Sequence, residues 1–316
     1  MVAASRARQH MNLVLEPDGP LDVHATLARY RLWGEDPSNR LGEGVFRRVL
    51  RLGARLVPYE VRWSGGVDDA RLTVRLPGAR ATRVGEAVAA EVRRVFGLDF
   101  DLAGFYRLAK GDPVLAALIE PLYGLRPTLA ARPLEMLVHA IAAQQVNLPF
   151  AFVCRARLVR RYGTPVAIGG QTAWAFPAPA TLAAARVRDL RRMQFSTRKA
   201  EYIRDLARAV RAGALDLEAL ATAPDAVVIE RLTALRGLGR WTADWFLARC
   251  LGRGAVCPAG DLAVRKAFAR HWGRGRTPSE AAIRRRAAAW GPHQNLAIHY
   301  LLAGMRLAAP ATGGGT

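Results

Sequence analysis

Hydrophobic periodicity changes character once along this chain, and that change limits the folds open to it. From Val45 to Gly78 apolar residues alternate in three runs: V-F-R-R-V-L-R-L, R-L-V-P-Y-E-V-R-W and A-R-L-T-V-R-L. The turn signals G-A and S-G-G-V-D-D separate them. Period-two alternation between turns predicts antiparallel strands, and Pro58 places the second strand at an edge or a bulge. Helical spacing flanks this region at residues 21–32 and 84–96, where Val84, Val88, Val92 and Val95 share a face. After residue 105 strand signals nearly vanish. Ala- and Leu-rich periodic segments, cut by Gly and Pro, follow at 112–121, 133–145, 149–162, 180–192, 197–212, 216–222, 224–234, 241–251, 261–271, 278–289 and 293–305. Pro133, Pro149 and Pro224 stand where a first helical turn favours proline. No fixed period makes the array a solenoid. The expectation is an α+β N-terminal domain over residues 11–105, a small antiparallel sheet with flanking helices, followed by an all-α domain over 106–306. Residues 1–10 are expected to be a disordered basic segment and 307–316 a flexible tail.

At 316 residues and 51% hydrophobic, the chain can bury a core in each domain. A net charge of +21 favours a polyanionic partner, nucleic acid ahead of membrane. Only Lys110, Lys199 and Lys266 are lysines, however, and GC-rich coding alone can supply arginine, so charge does not decide the matter by itself. Cys154, Cys250 and Cys257 form no C-x-x-C pair, which excludes a disulfide framework, a zinc knuckle and a four-cysteine iron–sulfur loop. The six histidines are scattered singly. No metal site and no cofactor is expected. A basic start without an apolar signal core, and the lack of any run of 18 apolar residues, predict a soluble cytoplasmic protein with no membrane partner.

Local chemistry concentrates in the second half. In L-R-G-L-G-R-W-T-A, residues 235–243, Gly237 and Gly239 allow a tight turn, and a helix beginning near Arg240 points its N–H groups back at it. Such a turn binds a phosphate and reads no base. Trp241 and Trp245, four apart, share one helical face, as core residues or as walls for a planar base. Twenty residues past Trp241, Asp261 opens another helix, where an N-cap role is the commonest use of aspartate. Asp244 and Asp205 are rival carboxylates and read as ordinary solvated acids. An apolar helix ending in Gln144-Gln145 presents amides that could fill the gap left by an extruded base, or simply cap an exposed terminus.

Together A-I-A-A-Q-Q-V-N, M-Q-F-S-T-R-K-A-E-Y-I, L-R-G-L-G-R-W-T-A and P-A-G-D-L-A-V-R-K-A resemble, in order, the helix-hairpin-helix superfamily of base-excision DNA glycosylases, nearest its alkylpurine branch. The resemblance implies that Asp261 is the catalytic aspartate and that Gly237, Gly239, Arg240 and Thr242 bind the DNA backbone. It implies a base pocket of Trp241, Trp245 and Leu302, and a duplex wedge at Gln145 with Gln144 beside it. Members that also cut the strand carry a lysine at the position of Trp241, and tryptophan cannot form a Schiff base. The implied activity is therefore a monofunctional glycosylase acting as a monomer on double-stranded DNA with alkylated bases, in the cytoplasm at the nucleoid. The alternatives are a glycosylase for oxidised or mispaired bases, a non-catalytic helix-hairpin-helix DNA-binding protein, and a basic scaffold unrelated to DNA. Asn147 stands where serine is more usual and Leu302 where an aromatic is, departures that bear on wedge geometry and substrate range.

Overall fold

The computed structural model describes residues 10–78, 82–273 and 275–307. Its N-terminal part is built on a five-stranded antiparallel sheet of β1 (His10–Leu15), β2 (Arg40–Gly42), β3 (Val45–Leu52), β4 (Arg55–Ser64) and β5 (Arg71–Pro77), in the order β1-β5-β4-β3-β2. Alternation decides which side is buried: Val57, Tyr59 and Val61 of β4 join Leu72, Val74 and Leu76 of β5 in one core. The valine stripe of α3 (Thr82–Val95) closes over that core with Val84, Val88, Val92 and Val95 all buried. Two short helices, α1 (Val23–Leu27) and α2 (Arg29–Leu32), occupy the segment expected to be one helix.

Two expectations are corrected here. Residue 10, assigned to the disordered start, lies in β1, where Met11, Leu13 and Leu15 pack against the sheet core; residues 1–9 lie outside the described residues. β4 is a central strand, not an edge. Pro58 is tolerated because β5 pairs only with Glu60–Ser64, so the stretch holding Pro58 has a partner on the β3 side alone.

The remainder is mainly helical: α4 (Leu102–Ala109), α5 (Pro113–Ile119), α6 (Pro133–Ala143), α7 (Leu148–Tyr162), α8 (Pro179–Ala183), α9 (Val187–Arg192), α10 (Thr197–Arg211), α11 (Asp225–Thr233), α12 (Arg240–Arg249), α13 (Leu262–Trp272), α14 (Glu280–Ala288) and α15 (Gln294–Leu307). They share one core that includes Leu137, Ile141, Leu206, Phe246, Phe268 and Tyr300. Leu307, assigned to the tail, ends α15; residues 308–316 lie outside the described residues. Pro133 opens α6, whereas Pro224 is the N-cap of α11 and not its first helical residue. A hairpin unforeseen from periodicity, β6 (Thr164–Ile168) and β7 (Gln171–Ala175), turns at Gly169-Gly170, both with positive φ, and packs Ile168, Ala173 and Ala175 on Val49 of the sheet. None of the described helices is long and apolar enough to cross a membrane.

A buried ion network joins the two parts. Arg48 of β3 binds Glu135 of α6 at 2.6 Å and Glu91 of α3 at 3.0 Å, while Arg155 of α7 pairs with Asp36 and Glu135. Burial alone would raise the Glu135 carboxyl, but Arg48 and Arg155 outweigh it and hold it at about 2. Helix α6, which leads to Gln144, is thereby fixed against the sheet.

Candidate active site

Asp261 is an N-cap and more. The chain reaches it through Pro258-Ala259-Gly260, and its Oδ1 accepts the N–H groups of Ala263 (2.8 Å) and Val264 (3.2 Å) at the start of α13. Its other oxygen, Oδ2, accepts the indole N–H of Trp241 at 2.7 Å and of Trp245 at 3.0 Å. A carboxylate offers about four lone-pair sites, and here four N–H donors occupy them. The side chain is half-buried, with Leu262 beside it 66% exposed, so it stands at the rim of the protein rather than inside it. Trp245 is buried and Trp241 half-buried, and both indole N–H groups point at the same half-buried carboxylate.

Behind Trp245 lies a residue that motif reading missed. His299 of α15 meets its ring edge-on at 5.9 Å between centroids. Nδ1 of His299 lies 2.8 Å from the Asn295 carbonyl, which makes it the protonated nitrogen in the neutral ring and leaves the buried Nε2 without a partner. Burial first, then the Arg249 charge, push this imidazole down to about 3. Arg249 follows Trp241 and Trp245 at the same four-residue interval on α12, and its guanidinium donates to Thr128 Oγ1 at 2.9 Å. Leu302 lies three residues beyond His299 on α15, half-buried against the helical core.

The hairpin before α12 is shaped by its two glycines in different ways. Gly237 has φ +91°, and a Cβ there would sit 2.3 Å from ring carbons of Tyr202. Gly239 is extended and is the N-cap of α12; a Cβ there would meet nothing within 4 Å. Of these two, only Gly237 must be glycine for the protein's own packing. The first helical bond of α12 runs from Ala243 N–H to the Gly239 carbonyl, so the N–H groups of residues 240–242 have no helical acceptor behind them. Leu238 is buried between the glycines and pins the turn.

Several expected contributors sit differently from their sequence reading. Thr242 is 1% exposed, so its hydroxyl is out of reach of a DNA backbone. Arg240 is exposed, with Nε 2.8 Å from Asp244 Oδ1. Asp244 is not a solvated acid: it is 2% exposed, and Arg284 binds its second oxygen at 2.6 Å. Asp205 does lie near the surface, paired with Arg204, Arg208 and Arg236. Gln144 is half-buried, and its amide donates to the Gly237 carbonyl at 2.7 Å, which commits it to the hairpin. Gln145 is exposed with φ +55°, a left-handed conformation that costs a residue with a Cβ about 1–2 kcal/mol. Asn147 caps α7 by accepting the Phe150 N–H at 2.9 Å, so asparagine replaces serine without loss of the cap.

All three cysteines are free and buried, and burial pushes the Cys250 and Cys257 thiols up to about 12. Among the described residues no group of three or more His, Cys, Asp or Glu is placed to hold a metal.

Comparison with known proteins identifies the family and the fold. A family model described as HhH-GPD superfamily base excision DNA repair protein matches residues 138–293. The DNA-3-methyladenine glycosylase of Bacillus subtilis (strain 168) is 30% identical over 216 residues, 68% of this chain and 71% of that protein. DNA-3-methyladenine glycosylase 2 of Escherichia coli (strain K12) is 29% identical over 218 residues, 68% of this chain and 72% of that one. The structure of a 3-methyladenine DNA-glycosylase from Archaeoglobus fulgidus superposes with a TM-score of 0.84 at 28% identity, covering 94% of this chain and 99% of that one.

Proposed function

Since the chain belongs to the HhH-GPD superfamily of base excision DNA repair proteins, we propose that it excises alkylated purines from double-stranded DNA. It hydrolyses the N-glycosidic bond and leaves an abasic site in an uncut strand, working as a monomer in the cytoplasm, at the nucleoid. The names of its relatives, each a 3-methyladenine glycosylase, support alkylated purines over oxidised or mispaired bases. The observation that carries the reading is the Asp261 carboxylate held between two indole N–H groups at the start of α13.

A base cannot react inside the stack, so it is rotated out at a cost of a few kcal/mol. The Gly237–Gly239 turn grips a phosphate, Gln145 enters the duplex, and the extruded base lies against Trp241 and Trp245. Alkylation at N3 or N7 gives the purine a positive charge, which electron-rich rings attract and which makes it a good leaving group. Little proton donation to the base is then required, and no metal or organic cofactor enters the bond-breaking step. As the bond lengthens the sugar gains oxocarbenium character, and a carboxylate about 4 Å away at an effective dielectric near 20 stabilises it by about 4 kcal/mol. Four hydrogen bonds suit Asp261 to act as this fixed charge. Deprotonating water would require it to give up an indole donor. Tryptophan at 241 supplies no amine, so hydrolysis and not strand cleavage follows.

The test is the product. Incubation with methylated duplex should release free 3-methyladenine or 7-methylguanine by mass spectrometry, with strands that break only after alkali. Release of oxidised bases alone, or strand breaks without alkali, would overturn the proposal.

A further inference from the structure

The loop between α6 and α7 and the glycine turn before α12 are braced together. Gln144 Nε2 donates to the Gly237 carbonyl at 2.7 Å, a direct link between them. Helix α10 supports both from one side. Lys199 Nζ donates to the Ala142 carbonyl at 2.9 Å, at the end of α6. One turn further along, the Tyr202 ring fills the space that a side chain at Gly237 would need, and Arg236 of the turn pairs with Glu201 at 3.0 Å and Asp205 at 3.3 Å. On its far side the loop is fixed by the Asn147 cap of α7. Between the two anchors stand Gln145, left-handed and exposed, and Val146, 36% exposed. A strained residue persists only where its surroundings over-determine it, and both flanks here are tied down. A tip fixed in advance enters a partner without the entropy loss of ordering a free loop.

We propose that Gln144 is a positioning residue whose amide bond to the Gly237 carbonyl holds the Gln145–Val146 tip at a set place relative to the phosphate-gripping turn, so that docking of the DNA backbone delivers the tip into the duplex. This rests on the reading of Gln145 as the wedge. Gln144 itself stays outside the base stack. Backbone grip and base extrusion become one event.

Gln144→Glu tests this, because it keeps the length of the side chain but turns an acceptor toward the carbonyl. Gln144→Leu removes the amide altogether, and Gln144→Lys restores a donor. Three quantities are read: affinity for undamaged duplex by anisotropy, extrusion by stopped-flow 2-aminopurine fluorescence beside the lesion, and single-turnover excision. Gln144→Glu and Gln144→Leu should slow extrusion and excision about tenfold or more and be rescued to within about threefold by Gln144→Lys, and the uncharged Gln144→Leu, which carries the affinity readout, should leave binding to undamaged duplex within about threefold. Wild-type extrusion in the Glu and Leu variants, or failure of lysine to rescue, would overturn the positioning role. A parallel loss of affinity for undamaged duplex in Gln144→Leu would also overturn it, since the defect would then lie in the turn. Gln145→Ala separates the premise from the inference. Unchanged extrusion there would discard the wedge, whereas slow extrusion there with normal Gln144 variants would discard only the brace.

Discussion

Substituting alanine separately at the two glycines of the turn distinguishes what the protein needs from what DNA needs. At Gly237 a Cβ would lie 2.3 Å from the Tyr202 ring, and φ is +91°. Left-handed strain of about 1–2 kcal/mol adds to about 1–3 kcal/mol for overpacking, so Gly237→Ala should lose roughly 2–5 kcal/mol of stability and weaken binding indirectly. At Gly239 the backbone is extended with φ −103° and ψ −176°, and a Cβ meets no protein atom within 4 Å. Gly239→Ala should therefore stay within about 1 kcal/mol of wild type, the range of an N-cap change. Its methyl group would instead stand where a phosphate approaches the N–H groups of α12. Losing one hydrogen bond to a charged oxygen costs about 1.5–3 kcal/mol, or roughly 10–100-fold in Kd. Urea denaturation and fluorescence anisotropy on undamaged duplex at fixed salt measure both quantities. Wild-type affinity in Gly239→Ala would refute the phosphate clamp, whatever Gly237→Ala does.

Other consequences are more local. Trp241→Phe keeps the ring but deletes one donor to Asp261; single-turnover excision should fall about tenfold with duplex affinity unchanged, and an unaltered rate would remove this indole from the site. Arg284→Met leaves buried Asp244 with Arg240 alone and should cost about 1–3 kcal/mol in urea denaturation; a neutral result would show that Arg240 satisfies the acid by itself. His299 is held near 3 against an ordinary 6.5, so the unfolded chain binds its proton first. Its contribution is complete above about pH 6.5 and is lost as pH falls toward 3, at about 1.4 kcal/mol per pH unit. The buried His139 is lowered in the same direction and adds to the effect. Equilibrium unfolding at pH 7 and pH 5 should show the decline, and His299→Gln should flatten it; equal stability at both values would mean that the ring protonates in the folded protein.

The sheet, its valine-striped helix and the helical array were legible because each shows one clear periodicity. β1 was hidden by its position beside a basic start, although Met11, Leu13 and Leu15 alternate. The β6–β7 hairpin carried its own G-G turn signal in a region otherwise governed by helical spacing. At the site, the family resemblance grouped Asp261 with Trp241 and Trp245, whereas helix geometry by itself links only the two tryptophans, four apart on α12. Long-range partners were not legible. Nothing local marks His299 as the neighbour of Trp245, Arg284 as the partner of Asp244, or Gln144 as bound to Gly237, because each pair is set by the packing of separate helices. Thr242 misled for a related reason: its place in the turn motif says nothing of the α12 face it occupies, which is buried.

Asp261→Asn is the substitution that bears most directly on the whole account. The amide oxygen can go on capping α13, while the amide nitrogen would face two indole donors, so about 1–3 kcal/mol of stability is lost together with the charge. Single-turnover release of methylated purine by this variant, with duplex affinity measured alongside, should fall by roughly 10²–10³ at an affinity within a few fold of wild type. Excision at the wild-type rate by a folded, DNA-bound Asp261→Asn protein would contradict the assignment of the carboxylate as the charge that stabilises the departing sugar.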